Sequence, residues 1–161
     1  MVEMTSDAAH IKFMTMPGAH VLLRLEIDPL GHPELLLLGN RSGLLSLANV
    51  LLWFHATAWR RELLSFGDLP FVETEGRLAF HIRIANDDAT GRHGVVERLD
   101  RGEQFEWTIP EEDLQAVGLV VHRLAAAPED GYERLRLESW TDIGIHICID
   151  DVVQSDSPSD A

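Results

Sequence analysis

The chain has 161 residues, 45% of them hydrophobic and 25% charged, a composition typical of one compact domain. Its 27 acidic and 13 basic residues give a formal net charge of −14, which disfavours binding to nucleic acid or to a membrane surface and favours a basic protein partner. The single cysteine, Cys148, excludes an intramolecular disulfide and fits a reducing, cytoplasmic location.

The first half of the chain predicts two strands followed by one long helix. Residues 1–18 are weakly patterned and lack the apolar core of a secretory signal. Apolar and charged residues alternate over 20–28, as in a half-buried strand, while the apolar segment 34–39 predicts a strand inside the sheet. Over 41–58 apolar residues surround most of a helical circumference, which predicts a long buried helix that is too short to span a bilayer. Residues 59–70 are predicted to extend this helix briefly.

The second half predicts an antiparallel meander. Six segments have strand-like patterns, namely 77–84, 93–99, 103–109, 118–127, 132–140 and 143–150. Turn residues separate the second segment from the third and the fourth from the fifth, so each of those two pairs is predicted to form a hairpin. Thr108 and Glu111 match a capping box, which predicts a short helix over 108–114.

These elements define an α+β fold class. We expect an antiparallel-dominated sheet of about six or seven strands, with one long buried helix (about 41–58) packed on one face. A strand before the helix is a candidate for parallel pairing with a later strand. Residues 1–150 are expected to form a single globular domain, whereas 151–161, acidic and rich in Ser, Asp and Pro, is expected to be a disordered tail.

Two of the predicted strands carry a histidine between isoleucines, in AFHIRI (79–84) and GIHICI (144–149). In both, the alternation places the histidine on the face opposite the isoleucines. If the two strands were neighbours, His81, His146 and Cys148 could converge as a transition-metal site, since imidazole and thiolate both suit zinc. No local spacing supplies a fourth ligand, so the favoured interpretation is that the isoleucines pack on the long helix while both imidazoles point away.

A second metal hypothesis concerns the polar segment 86–97. Asn86, Asp88 and Thr90 occupy the first, third and fifth positions of a twelve-residue calcium loop, and Glu97 occupies the twelfth. The flanking segments are predicted strands rather than helices, and the first ligand is Asn rather than a carboxylate. A polar hairpin loop without a bound metal is therefore the favoured interpretation.

The segment LLLLGNRSGLLSLANVLL (35–52) predicts a strand, a Gly-Asn-x-x-Gly-Leu turn and a leucine-rich helix. The turn lacks the Gly-Lys-Ser/Thr ending of a phosphate loop, and Asn40 or Ser42 can cap the helix instead. The segment resembles the core of a family of small bacterial immunity proteins that neutralise polymorphic toxins, mainly over 34–58 and more loosely over 95–100. The resemblance implies a non-enzymatic protein that binds and neutralises a toxin, and it assigns no site residue.

Charge and resemblance together favour a non-enzymatic, cytosolic binding protein that offers an acidic surface to a basic partner, with toxin neutralisation as the concrete version. The candidate partner-binding residues are acids in predicted loops or at helix starts, namely Asp87, Asp88, Glu111, Glu112 and Asp113. No nucleophile motif is present, so no catalytic residue and no cofactor are expected. The alternative is a small metal-dependent enzyme or metal-binding protein that uses His81 and His146 or the 86–97 loop.

Overall fold

The structure, a computed structural model, describes residues 2–27, 29–31, 33–57, 63–84, 95–98, 103–126, 132–135 and 144–149. The tail predicted at 151–161 lies outside these residues. The described residues form three α-helices, α1 (Val2–Met14), α2 (Arg41–Ala56) and α3 (Glu111–Ala126), and one 3-10 helix, Phe66–Asp68. Their nine strands are β1 (Val21–Ile27), β2 (Pro33–Gly39), β3 (Leu63–Ser65), β4 (Val72–Thr74), β5 (Ala79–Ile84), β6 (Val95–Arg98), β7 (Gln104–Ile109), β8 (Tyr132–Leu135) and β9 (Gly144–Ile149).

Sheet A contains five strands in the order β4-β1-β2-β9-β8. β1 and β2 form an antiparallel hairpin, and β8 pairs with β9 in the same sense. The pairings of β1 with β4 and of β2 with β9 are parallel. β2 is therefore an interior strand, as its apolar sequence predicts. Its parallel partner comes later in the chain, which confirms the pairing expected of a strand before the long helix.

Sheet B contains four strands in the order β3-β5-β7-β6. β5 and β7 pair in parallel at its centre, and β3 and β6 are the antiparallel outer strands. The pairing of β6 with β7 confirms the hairpin predicted from 93–99 and 103–109. Of the two histidine-containing strands, β5 therefore belongs to sheet B and β9 to sheet A.

The α+β class is confirmed, but the single antiparallel-dominated sheet is wrong. Both sheets are mixed, and three of the seven strand pairings between described residues are parallel. Each parallel pair joins strands that other elements separate along the chain, as a parallel crossover requires. Alternating residues show which face of a strand is buried but not the direction of its neighbour, so the sequence pattern fits both arrangements.

The strand predicted at 118–127 is also wrong, because most of this segment belongs to α3. The buried residues of α3 recur every three or four positions, namely Leu114, Val117, Gly118, Val121, Leu124 and Ala125. This helical period outweighs the strand preference of the valines, since packing decides more than intrinsic propensity does.

The short helix predicted at 108–114 overlaps the first turn of α3, and Thr108, its predicted cap, lies in β7. Instead of forming a hairpin with 118–127, β8 pairs with β9.

A further helix, α1, occupies residues for which the sequence predicts no element. It packs along α2, where the His10 ring stacks on Trp53 with centroids 6.1 Å apart. Just after α1, the Met16 backbone N–H donates to the buried Ser46 Oγ at 2.8 Å. Tertiary contacts rather than a local pattern therefore hold this helix in place. Of the extension of the long helix predicted for 59–70, residues 59–62 lie outside the described residues. The described part, 63–70, does not continue α2, because it contains β3 and the 3-10 helix.

One apolar core joins the helices and both sheets. Four isoleucines expected to point inward are buried in it, namely Ile82, Ile84, Ile145 and Ile147. The buried face of α2 contributes Leu44, Leu51 and Phe54 to the same core. The inward orientation of the isoleucines is thereby confirmed, and it leaves both histidines on the opposite faces of their strands.

α2 and α3 pack closely because α3 has a glycine at the contact. A Cβ on Gly118 would lie only 2.8 Å from Leu52 Cδ2, closer than real Cβ atoms approach. At the other end of the pair, Arg41 Nη1 donates to the Ala125 carbonyl oxygen at 3.3 Å. The two helices therefore run antiparallel and stay in contact along much of their length.

Replacing Gly118 by Leu tests this packing. The substitution gains about 1 kcal/mol of helix propensity but overpacks the contact with Leu52 by up to about 3 kcal/mol, so we expect the free energy of unfolding to fall by about 2 kcal/mol. Gln115→Leu is the control, because Gln115 is exposed on the same helix and its replacement should change stability by less than about 0.5 kcal/mol. Urea denaturation measures both variants, and equal effects would contradict the helical packing of α3.

Candidate functional site

The turn between β2 and α2 is organised by the side chain of Asn40, which is only 1% exposed. Its Oδ1 caps α2 by accepting the Gly43 N–H at 2.7 Å, and it also accepts the His20 N–H at 3.1 Å. Its Nδ2 donates to the Gly18 carbonyl oxygen at 2.8 Å. One buried amide thus ties the residues before β1 to the first turn of α2, and the cap expected at Asn40 or Ser42 is Asn40.

Glycines lie on both sides of Asn40 in this turn, where neighbouring atoms occupy the space that a Cβ would need. A Cβ on Gly43 would overlap the backbone oxygen of His20, and a Cβ on Gly39 would lie 2.8 Å from Leu44 Cδ2. The Gly-Asn-x-x-Gly-Leu pattern is therefore explained by close packing and helix capping. The Gly43 N–H, which an anion at the helix start would need, is already bonded to Asn40, so the turn acts as a structural joint.

The two histidine-containing strands lie in different sheets, so His81 and His146 are not on neighbouring strands. His146 Nε2 in β9 lies 3.2 Å from Glu34 Oε2 in β2, and the His146 side chain is only 11% exposed. The two atoms are at ion-pair distance but lack the alignment of a hydrogen bond. Cys148 is half-buried on the same face of β9. When its imidazole is protonated, His146 therefore forms a half-buried ion pair across two parallel strands.

In sheet B the strand register places Ser65, His81 and Glu106 side by side on β3, β5 and β7. Glu106 is 18% exposed, and its Oε1 lies 3.2 Å from Arg83 Nε. His81 is half-buried, and its Nδ1 has no hydrogen-bond partner within the part of the chain that the structure describes. Sequence reasoning missed Glu106, because its place beside His81 depends on the parallel register of β5 and β7.

Neither metal hypothesis gains a ligand cluster from the described residues. Among them, no three His, Cys, Asp or Glu side chains lie together as a metal site would need. Glu97 lies in β6, where its register partner is Glu106 of β7. Four of the loop candidates lie outside the described residues, namely Asn86, Asp87, Asp88 and Thr90.

The remaining acidic candidates, Glu111, Glu112 and Asp113, form the first turn of α3, called here the acidic turn. Glu111 and Glu112 are exposed, and Asp113 is half-buried. Carboxylates at this end of a helix are stabilised by its free N–H groups and by the positive end of the helix dipole. Glu111 Oε1 also lies 3.8 Å from His55 Nε2 near the end of α2. The structure therefore brings these three candidates together on one exposed turn.

A second group of acids, which sequence reasoning missed, surrounds β1 and β4 at one side of sheet A. Arg24 lies between Glu26 and Glu75, at 3.4 Å from each carboxylate. Glu73 Oε2 lies 3.0 Å from His20 Nε2. Basic side chains therefore offset part of the negative charge on this surface.

Comparisons with protein-family models, with curated proteins and with solved structures found no match. The resemblance of 34–58 to immunity proteins, expected from the sequence, therefore stays a prediction. Among the helices of the described residues, none is long and apolar enough to cross a membrane.

Variants of Asn40 test the structural joint. Asn40→Ala removes the helix cap and two further hydrogen bonds, so we expect the free energy of unfolding to fall by about 2–4 kcal/mol in urea denaturation. Asn40→Asp keeps a capping oxygen but loses the donor to Gly18 and buries a charge beside a carbonyl oxygen. It should therefore destabilise the protein too, although Asp and Asn cap helices equally well in general.

Asn49→Ala is the control for these variants, because Asn49 lies on the same helix away from the joint. We expect it to change the free energy of unfolding by less than about 1 kcal/mol. Wild-type stability of Asn40→Asp would contradict a role for the amide nitrogen.

Proposed function

We infer that the chain is a non-enzymatic, cytosolic binding protein that neutralises a basic protein partner through an acidic surface, in the manner of immunity proteins. The observation that carries this proposal is the acidic turn, which exposes carboxylates at the start of a helix on a chain of net charge −14. The field of such a chain attracts basic surfaces. The resemblance of 34–58 to immunity proteins supports the same class of function.

The acidic turn rests on the packed core. Leu114, the residue that follows it, is fully buried, and Gly118 one turn later lies tightly against α2. His55 contacts the turn from the end of α2. A surface already held in place loses little conformational freedom on binding, so more of the attraction appears as affinity.

The charge of the acidic turn is less compensated than that of the acids around β1 and β4. There, Arg24 and His20 lie within ion-pair distance of the carboxylates. At the acidic turn, His55 is the base that approaches, whereas Glu112 and Asp113 have no ion-pair partner among the described residues. We therefore place the basic residues of the partner at the acidic turn.

Neutralisation of this kind needs no catalytic group, because the bound chain covers the basic residues with which the partner would bind its substrate. A toxin that acts on a polyanion presents Lys and Arg side chains to its substrate's phosphates. Carboxylates fixed on a rigid helix start compete for the same side chains, because charge-assisted hydrogen bonds form with either anion. A high negative charge also speeds the encounter, which matters for a protein that must bind its partner before damage occurs.

Association kinetics test this proposal, with the product of the neighbouring reading frame as the first partner examined. We expect the association rate constant to fall at least about tenfold as NaCl rises from about 50 to about 500 mM, because salt screens the attraction. Glu111→Gln/Glu112→Gln should lower the low-salt association rate several-fold. Surface plasmon resonance measures both effects.

The matched control is Glu26→Gln/Glu103→Gln, which removes two exposed charges elsewhere and gives the same net charge. It should lower the association rate less than the acidic-turn variant does, because electrostatic steering depends on where the charges lie. An association rate that does not respond to salt, or equal effects of the two double variants, would count against the proposal.

A further inference from the structure

The outward face of α3 carries a stripe of four exposed residues, Glu112, Ala116, Leu119 and Arg123, called here the α3 stripe. Their spacing of four, three and four positions places them within about 60° of one another around a helix of 3.6 residues per turn. The α3 stripe lies opposite the buried face of the helix. Leu119, in its central part, is 55% exposed, so a large apolar side chain lies in solvent between an acid and a base.

The α3 stripe is complementary to itself when a second copy is turned end to end. In an antiparallel alignment centred on the stripe, Glu112 lies opposite the second copy's Arg123, and Ala116 lies opposite its Leu119. The remaining two positions repeat these pairs in the reverse sense. Acid therefore meets base and a small side chain meets a large one at every position, as a self-complementary two-fold interface requires.

We propose that two copies of the chain associate through the α3 stripe in an antiparallel contact between their α3 helices. A uniformly basic surface would meet Arg123 at one end of the stripe, whereas a second copy matches both ends. Charge and shape together therefore favour a second copy as the occupant of this face.

This association goes beyond the proposed binding function and depends on salt in the opposite way. Each copy carries a formal charge of −14, so two copies repel one another at long range, and salt screens that repulsion. The dimer strengthens as salt rises, whereas capture of a basic partner weakens. Because Glu112 belongs to both surfaces, dimer formation also covers part of the acidic turn.

Sedimentation equilibrium of the full chain, from micromolar to millimolar concentration, tests the dimer. A contact between two single helices is smaller than a standard interface, so we expect a weak dimer with a dissociation constant between about 10 μM and about 1 mM. Leu119→Asp should raise this constant at least about tenfold, because it buries a charge at the centre of the contact. Leu30→Asp is the control and should leave it unchanged, since Leu30 is 80% exposed at the turn between β1 and β2.

Charge reversal provides a second arm. Glu112→Arg and Arg123→Glu each place like charges opposite one another twice, and each should raise the dissociation constant by about tenfold. The double variant restores both pairs with reversed sense and keeps the wild-type net charge, so it should return the constant to within about threefold of wild type. Glu112→Arg reduces the net repulsion between copies and yet should weaken the dimer, which separates local pairing from overall charge.

Circular dichroism establishes that each variant is folded before it is sedimented. A chain that stays monomeric at millimolar concentration overturns the proposal. The proposal is also overturned if the chain dimerises but Leu119→Asp and the two single charge reversals leave the dissociation constant unchanged, because such a dimer uses another face. Partner association that weakens with salt while the chain remains monomeric preserves the proposed function and rejects the dimer alone.

Discussion

The fold depends on the passage from β2 into α2, where the buried side chain of Asn40 bonds both the helix start and the residues ahead of β1. Apolar burial stabilises α2 but has no direction, so the same leucines would tolerate several orientations of the helix across sheet A. Hydrogen bonds to a buried amide allow only a few of these helix orientations, because a buried donor or acceptor without a partner costs the full penalty of its desolvation. Close contact at Gly43 restricts the orientation of α2 further, since the His20 backbone fills the space that a side chain at position 43 would need.

The surface that we propose for binding follows from this joint through a short series of contacts. α2, oriented by Asn40, is the platform on which α3 packs, and Gly118 lets the two helices approach closely. α3 begins beside His55 at the far end of α2, so its first carboxylates project from a fixed place on the molecule. The acidic turn is thus positioned by packing behind it, and its charge is free to act outward.

Local patterns predict an element well where one face is buried and the neighbours are near in sequence. Alternation in β5 and β9 identifies the inward isoleucines, and the turn between β6 and β7 identifies their hairpin. The local sequence does not show whether two distant strands pair in parallel, which is why Glu106 could not be placed beside His81 in advance.

α3 is mistaken for a strand because valines are typical of strands. Under that interpretation, Leu119 and Arg123 share no stripe with Glu112, so the outward face of the helix could not be recognised.

The likeness of the two histidine-containing strands has a physical origin in the fold. Each strand covers the core with isoleucines, and alternation then turns its histidine to the other face. Each imidazole lies near a glutamate, His146 at Glu34 and His81 beside Glu106 in the strand register, although the two pairs belong to different sheets. A chain with 27 acids and 13 bases supplies such neighbours readily, so similar surroundings arise twice without a shared site. The repeated pattern therefore reports how these two strands pack on the core, and it does not place a shared site on them.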